Sequence, residues 1–273
     1  MKNRYAILTL ALASASLVAE SASAQNFLLP STPEKGIWVE STHTRFEELD
    51  VDLPSTVWFF SGRLPLTHGF SAVVDVPFSY ARIEDAEAGN ESSTTFGNPY
   101  VGLELAALQD VSFELGMRLP LNTADEESFA DMVAFVADPL RPEAFLEDVV
   151  PVTAAATIER ALPAGFGIRA RGGVTGLFDT SEESEDAEAA VDYGLVGAYT
   201  TGPVQMALGA VGRWYASSDE GDFAENSLHH AALSADVDLG GVRPGVSLRV
   251  PLDSEYRDLV NSSLGIYLQV PIR

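Results

Sequence analysis

The sequence predicts an all-β fold: a twelve-stranded antiparallel up-and-down transmembrane β-barrel with short periplasmic turns and long acidic external loops. Eleven connections alternate strictly between long acidic segments and short neutral ones, and strand-like segments of nearly constant length separate them. Outer-membrane barrels have this asymmetry, with short turns at the periplasmic end and longer loops outside. The long connections are residues 47–52, 83–95, 122–149, 179–190, 217–226 and 253–262, and the short ones are residues 67–68, 108–110, 162–165, 201–203 and 240–241.

The segments between the connections alternate between apolar and polar residues, as β-strands with one apolar face do. In the last segment, apolar residues occupy the even positions from Leu264 to Ile272, and Gly265, Tyr267 and Gln269 lie between them. The polar faces are rich in Gly, Ala and Ser with isolated charges of both signs, which suits a confined lumen. A secreted or periplasmic acidic β-sandwich that binds a ligand would alternate in the same way, and it stays an alternative.

A signal peptide is predicted at the start of the chain. Lys2 and Arg4 form a basic region, residues 6–19 are apolar, and a small-residue cleavage site ends at Ala24. The apolar run is too short for a permanent membrane helix. We therefore expect localisation in the outer membrane of a Gram-negative bacterium after cleavage near Ala24. The predicted domains are a signal peptide at 1–24, a periplasmic N-terminal segment at 25–35 and the barrel at 36–273.

The charge of the chain lies mainly in the long connections. The formal net charge is −24, and 29 of the 40 acidic residues fall in those six segments. Phosphate contacts need Lys and Arg, so no nucleic-acid partner is expected. The acidic loops either stay solvated, as charge runs usually do, or gather cations at a pore mouth.

Aromatic residues mark the strand ends next to the long connections. Trp and Tyr prefer membrane–water interfaces, because their rings are partly apolar and partly polar. We therefore expect an interfacial belt formed by Tyr80, Phe96, Tyr100, Phe178, Tyr193, Trp214 and Tyr215.

The third long connection carries its own helical pattern at residues 123–138. Thr123 and Glu126 form a capping box at its start, and Asp138 precedes a proline at its end. This connection would either fold inward and constrict the barrel or pack on its rim. The candidate gating residues are the apolar ones at helical spacing, Phe129, Met132, Val133 and Val136.

Charged residues on the polar strand faces are the candidate pore-lining residues. They would form an internal salt-bridge network, a hydrated pore with a transverse field, or both at once. The candidates are Asp75, Glu104, Glu114, Arg118, Glu159, Arg169, Arg171, Arg213 and Arg249.

Catalytic chemistry is not expected from the sequence. No nucleophile-elbow, zinc-protease or phosphate-binding motif is present. His229 and His230 are adjacent, so they point to opposite faces of a strand and cannot bind one metal together. We expect no catalytic residue, no metal site and no cofactor.

Two motifs resemble a known family. Phe96-Gly97-Asn98-Pro99-Tyr100-Val101-Gly102-Leu103 is followed by Leu115-Gly116-Met117-Arg118-Leu119-Pro120-Leu121. This pair resembles the outer-membrane family of MetA-pathway of phenol degradation proteins, a family of transporters. The resemblance implies a barrel that passes small compounds, hydrophobic or aromatic ones included, by passive diffusion. The alternative within the membrane is a structural or enzymatic barrel that does not conduct. The expected partners are outer-membrane lipid, lipopolysaccharide, the barrel assembly machinery and a small-molecule solute.

Overall fold

The structure is a computed structural model that describes residues 35–46, 55–67, 69–85, 89–122, 130, 133–134, 137–180, 187–217, 223 and 225–272. Antiparallel strands dominate these residues and close on themselves, because the first strand pairs with both the second and the last. The strands are β1 (Gly36–Phe46), β2 (Ser55–Thr67), β3 (Phe70–Asp85), β4 (Gly89–Phe96), β5 (Tyr100–Leu108), β6 (Val111–Arg118), β7 (Val149–Ala161), β8 (Phe166–Asp179), β9 (Ala187–Thr201), β10 (Val204–Tyr215), β11 (Ser227–Val237), β12 (Arg243–Pro251) and β13 (Val260–Pro271).

Thirteen strand segments make twelve barrel strands, because β4 and β5 share the long strand β3. β4 pairs with residues 78–85 of β3, and β5 pairs with residues 70–75 of the same strand. The break between them falls at residues 97–99, where Pro99 cannot donate to the ladder. The predicted twelve-stranded antiparallel barrel is confirmed. The predicted loop at 83–95 is wrong in part, since β3 continues to Asp85 and β4 begins at Gly89.

The two faces of the barrel wall differ in chemistry. Large apolar side chains such as Leu115, Leu208 and Ile266 are exposed on the outside, whereas the inward face buries charged and polar side chains. Such an apolar outer surface would be costly in water but suits contact with lipid. Of the seven aromatic residues predicted at the interface, five face outward, while Tyr100 and Tyr215 share the register of inward-facing residues.

Two inward tyrosines lie flat on glycines of neighbouring strands. A Cβ on Gly116 would lie 2.2 Å from the Tyr100 hydroxyl oxygen, and a Cβ on Gly245 would lie 2.2 Å from the Tyr267 ring. Each ring can therefore lie over the neighbouring strand on the inner surface of the wall. There it donates its hydroxyl proton to an inward-facing acidic side chain. Tyr100 donates to Glu114 at 2.5 Å, and Tyr267 donates to Asp236 at 3.2 Å.

Helices are few and short in the part of the chain that the structure describes. Residues Ala130, Val133, Ala134 and Ala137 are helical, and a separate helix covers Ser254–Leu259. Over the described ranges, none of the helices has the length and apolar character needed to cross a membrane. The signal peptide at 1–24 and most of the N-terminal segment at 25–35 lie outside the described residues, so these domains stay predictions.

The outer face generates a first prediction. Leu115 lies in the middle of β6, and Leu108 lies at the turn end of β5, both strongly exposed. We expect Leu115→Arg to lower the free energy of unfolding from bilayers by about 2–4 kcal/mol, and Leu108→Arg by about 0–1 kcal/mol, because a lipid-facing charge costs most at the midplane. Denaturant titration of the barrel in liposomes measures both. Equal costs for the two variants would contradict a lipid-facing wall.

Candidate functional site

All nine candidate pore-lining residues face the inside of the barrel. Most are buried there, and Glu159 and Arg171 are half-buried. Their strand registers agree, since Arg171 pairs across from Thr157 and Gly194, and Arg213 pairs across from Asp192. The structure therefore brings the nine into one polar interior.

The third long connection enters this interior, so the rim alternative is wrong. Thr44 Oγ1 donates to the carbonyl of Ala137 at 3.1 Å, and Ser79 Oγ donates to the carbonyl of Ala130 at 3.0 Å. Val133 packs with Ala130 and Ala81 of β3. The described residues of this stretch, namely 130, 133–134 and 137–145, thus lie inside the barrel and begin against the inner surface of β1–β3; they are called the luminal loop below. The other candidate gating residues, Phe129, Met132 and Val136, lie outside the described residues.

A ring of four charges joins the luminal loop to the wall. Arg141 of the loop pairs with Asp138 at 2.5 Å and with Glu40 of β1 at 3.0 Å. Arg249 of β12 pairs with Glu40 at 2.5 Å and with Asp138 at 3.0 Å. All four side chains are almost inaccessible to solvent. Buried charges are tolerated when they are paired in this way, and removing one member leaves another uncompensated.

The luminal loop also reaches the opposite side of the barrel. Glu143 accepts a hydrogen bond from Arg213 of β10 at 2.7 Å, and the carbonyl of Leu140 accepts a second from the same guanidinium at 3.2 Å. Leu140 packs against an apolar cluster that includes Val211 and Ala232. The loop therefore crosses the lumen from β1–β3 to β10–β11.

An apolar contact holds the loop on the β2 side. The Arg141 guanidinium lies 3.4 Å from the centre of the Phe59 ring, and the Phe145 ring meets Phe59 edge-on at 6.3 Å. Val57, Ala134, Ala137 and Ala144 complete this buried cluster. Stacking over an aromatic face adds to the stabilisation of a guanidinium.

The break between β4 and β5 receives the end of the loop. The Asn98 backbone N–H donates to the carbonyl of Ala144 at 2.6 Å, and the Asn98 side-chain Nδ2 donates to the carbonyl of Leu146 at 2.5 Å. A Cβ on Gly97 would lie only 2.2 Å from the Ala144 carbonyl oxygen. The Phe96–Leu103 motif therefore acts structurally, since it opens the wall and binds the luminal loop there.

A second charge network lines the wall from β2 to β8. Arg63 pairs with Glu104 at 2.6 Å, and Arg118 pairs with Asp75 at 3.2 Å. Further along, Arg171 lies 3.7 Å from Glu114, the acid that also binds Tyr100. Charges of opposite sign thus follow one another around this half of the interior.

Several residues of the interior were not identified from the sequence. Glu40 shares the inward face of β1 with Trp38 and Thr42, two residues away on either side. This period of two could have identified Glu40 as an inward-facing residue. Asp138 and Arg141 could not be placed, because their partners come from strands far away in the chain. Among the described residues, no group of three His, Asp or Glu side chains could hold a metal ion.

The electrostatics of the ring centre on Asp138. Burial by itself raises the pKa of this carboxyl group, but the guanidiniums of Arg141 and Arg249 outweigh burial and hold its pKa at about 2. Asp138 therefore stays ionised through the physiological range, so protonation does not break its ion pairs with Arg141 and Arg249 there.

Comparison with solved structures identifies the architecture. The COG4313 outer membrane channel from Pseudomonas putida F1 matches with a TM-score of 0.62 at 13% identity, over 92% of this chain and 99% of that chain. The translocator domain of the autotransporter NalP from Neisseria meningitidis matches with a TM-score of 0.58 at 11% identity, over 98% of each chain. LpxR from Salmonella typhimurium matches with a TM-score of 0.52 at 8% identity, over 87% of this chain and 100% of that chain.

The chain has the fold of an outer-membrane β-barrel. At these identities the likeness extends to the fold alone. No family model matches the chain, and no curated protein matches its sequence. The resemblance to the MetA-pathway of phenol degradation proteins therefore stays a prediction.

The low pKa of Asp138 generates a second prediction. A carboxyl group with a depressed pKa stabilises the folded state fully above its ordinary pKa of about 4, and this contribution is lost as the pH falls towards 2. We expect amide hydrogens of residues 137–148 to lose protection between about pH 4 and pH 2. Hydrogen exchange read by mass spectrometry, corrected for intrinsic rates, measures the loss.

The matched variant for this experiment is Asp138→Asn, which keeps the side-chain shape and removes the titration. Its protection should already be lower at neutral pH and should depend less on pH below 4. A loss of protection that begins above pH 5 in the unsubstituted protein would contradict the assignment to Asp138.

Proposed function

We propose that this protein is an outer-membrane channel that passes small solutes by passive diffusion, hydrophobic or aromatic compounds included. One observation carries the proposal: a loop crosses the interior of the barrel and is bound to β1 and β3 on one side and to β10 on the other. A barrel that served only as a support would not need a separate segment across its lumen. The resemblance of the Phe96–Leu103 motif supports the solute class.

The path we propose follows the inner surface of β7 and β8. Besides Glu159, Arg169 and Arg171, the inward residues there include five small or short ones, namely Thr153, Ala155, Thr157, Gly173 and Thr175. The large side chains of the luminal loop pack elsewhere: Phe145 contacts Phe59, and Leu140 contacts the apolar cluster that includes Val211. The proposed solute path therefore lies between the loop and the β7–β8 wall.

The charges along this path suit a hydrated pore with a transverse field. Arg169 and Arg171 project inward from β8, next to the acids Glu114 and Glu159. Rings and rows of charged side chains set selectivity in pores of this kind. The nine pore-lining residues named from the sequence act here as parts of the paired wall, and Arg171 is the member we place nearest the path.

The luminal loop is the proposed gate. Val133 is its described gating residue, and the roles of Phe129, Met132 and Val136 stay predictions. The proposed setting is the outer membrane, after removal of the signal peptide near Ala24. The proposed partners are outer-membrane lipid, lipopolysaccharide, the barrel assembly machinery and the solute. Neither catalysis nor a cofactor enters this function.

Selective thiol modification tests the path. The chain has no cysteine, so one introduced thiol is unique. We expect a charged thiol reagent to lower single-channel conductance in Thr153→Cys, because this side chain borders the proposed path. The matched control is Val57→Cys, whose side chain is fully buried under the luminal loop and should not react. Reaction at Val57→Cys alone would place the path on the wrong side of the loop, and no conductance from either variant would favour a non-conducting barrel.

The acidic external loops generate a selectivity prediction. We expect reversal potentials in planar bilayers to reveal cation preference at low salt, because anionic loops attract cations to the mouth. The preference should fade from 0.01 M to 1 M salt, as the screening length falls from about 30 Å to about 3 Å. Anion preference at low salt would refute this.

A further inference from the structure

A cavity of about 350 Å³ lies at the external mouth of the barrel, where β9, β10 and β11 begin or end. Its volume falls within the range of sites that hold small ligands, roughly 300–1,000 Å³. Tyr215 is the last residue of β10, and Glu188 lies near the start of β9. Both face inward, because Tyr215 pairs with the buried Ala190 of the inner face and Glu188 lies two residues before Ala190. The cavity therefore borders the entrance to the lumen.

Hydrogen bonds hold the three strand ends around this cavity. The Tyr215 backbone N–H donates to the carbonyl of Asn226 at 2.9 Å, and the Ala216 backbone N–H donates to the carbonyl of Ala189 at 2.8 Å. The Ser217 hydroxyl oxygen accepts a hydrogen bond from the Ala189 backbone N–H at 3.0 Å. The lining residues are thus held in place by the wall itself, as in most sites for small ligands.

The lining combines two acids with apolar surface. Glu188 and Glu225 are the charged residues of the described lining, and no basic side chain joins them there. The Tyr215 ring and Leu228 supply apolar surface. Neutral polar side chains complete the lining, namely Ser217, Asn226 and Ser227. A ligand that matches this lining has a cationic group and an apolar body.

One arginine next to the cavity is shared by two acids. The Arg213 guanidinium lies 5.8 Å from the centre of the Tyr215 ring. It pairs with Glu143 of the luminal loop at 2.7 Å and with Asp192 of β9 at 3.3 Å. One positive charge thus faces two negative ones, and the Asp192 side chain is 30% exposed. This excess of negative charge attracts cations to the mouth.

The chemistry of the mouth favours an organic ammonium group over a bare metal ion or an anion. Over the described part of the chain, no three acidic or histidine side chains converge as a metal site requires. Carboxylate and hydroxyl oxygens accept the hydrogen bonds that an ammonium group donates, and the face of an aromatic ring attracts the cation. An anion would instead meet Glu188 and Glu225.

We propose that the cavity at Glu188, Tyr215 and Glu225 binds the ammonium group of a small amine, which is the solute of the channel. The apolar part of the amine lies against Tyr215 and Leu228. Docking of the luminal loop strengthens the site, because Glu143 competes with Asp192 for Arg213. The assignment of the amine as the solute rests on the proposed channel function, whereas the binding site does not.

Binding of three molecules of similar shape tests the proposal. The full-length protein in non-ionic detergent at low salt is titrated with benzylammonium, benzyl alcohol and benzoate, and isothermal titration calorimetry gives each affinity. We expect the affinity for benzylammonium to be several-fold above that for benzyl alcohol, and the affinity for benzoate to be the lowest. Equal affinities for benzylammonium and benzyl alcohol, or a higher one for benzoate, would overturn the proposal.

Two variants and one control assign the binding to this cavity. Glu188→Gln and Glu225→Gln each keep the side-chain shape and remove one charge, so each should lower the affinity for benzylammonium several-fold. Glu147→Gln removes an exposed acid that lines a different cavity and should keep the affinity of the unsubstituted protein. Heat-shifted gel mobility verifies that each variant is folded. An unchanged affinity in both folded site variants, or an equal loss in the control, would also overturn the proposal.

Binding in detergent is separate from conduction, so the site and the channel can fail independently. Benzylammonium binding without any conductance in planar bilayers would refute the channel, and with it the role of the amine as a solute, but not the cation site. Conductance without benzylammonium binding would refute the site and leave the channel standing.

Discussion

The ion-pair ring of Glu40, Asp138, Arg141 and Arg249 determines the shape of the interior. Two of its charges belong to the wall strands β1 and β12, and two belong to the luminal loop. Each side chain is buried, so each charge needs a close partner of opposite sign. The loop therefore crosses the lumen instead of staying in the external solvent, and the width of the barrel does not by itself give the width of any passage.

The interruption of the wall at residues 97–99 makes room for this arrangement. Pro99 ends the ladder, Gly97 leaves space for the Ala144 carbonyl group, and Asn98 binds the end of the loop with its backbone and its side chain. The Asn98 carbonyl oxygen also accepts a hydrogen bond from Arg118 at 2.8 Å. Strand break, loop and wall charges thus depend on one another, although they arise in different parts of the sequence.

The fold could be predicted from the sequence because its signals are local. Alternating side chains define each strand, and the connection lengths define the order. The contacts of the interior are not local: Arg141 lies 101 residues from Glu40, and Arg249 lies 209 residues from it. No spacing rule relates such pairs, so the inward position of the helix was open. Likewise, His229 and His230 point to opposite faces as predicted, but the partnership of His229 with Asp253 depends on how the connection 253–262 folds back.

The ring also explains how a loop joined by buried charges could still leave the lumen. Besides their contacts with the loop, Arg249 pairs with Glu40 of the wall at 2.5 Å, and Arg213 pairs with Asp192 of the wall at 3.3 Å. On the loop itself, Asp138 and Arg141 remain paired with each other. Both pairs left on the wall are neutral, so undocking exposes no isolated wall charge, which is the usual large cost of breaking a buried network. The cost then lies mainly in the lost contacts of Phe145 and Leu140 and in the exposed Glu143 carboxylate. The ring of two acids and two arginines is neutral, so it adds little net electric field to the lumen. Undocking of the loop would therefore change the width of the passage more than its charge selectivity. The charge selectivity would depend on the acidic external loops.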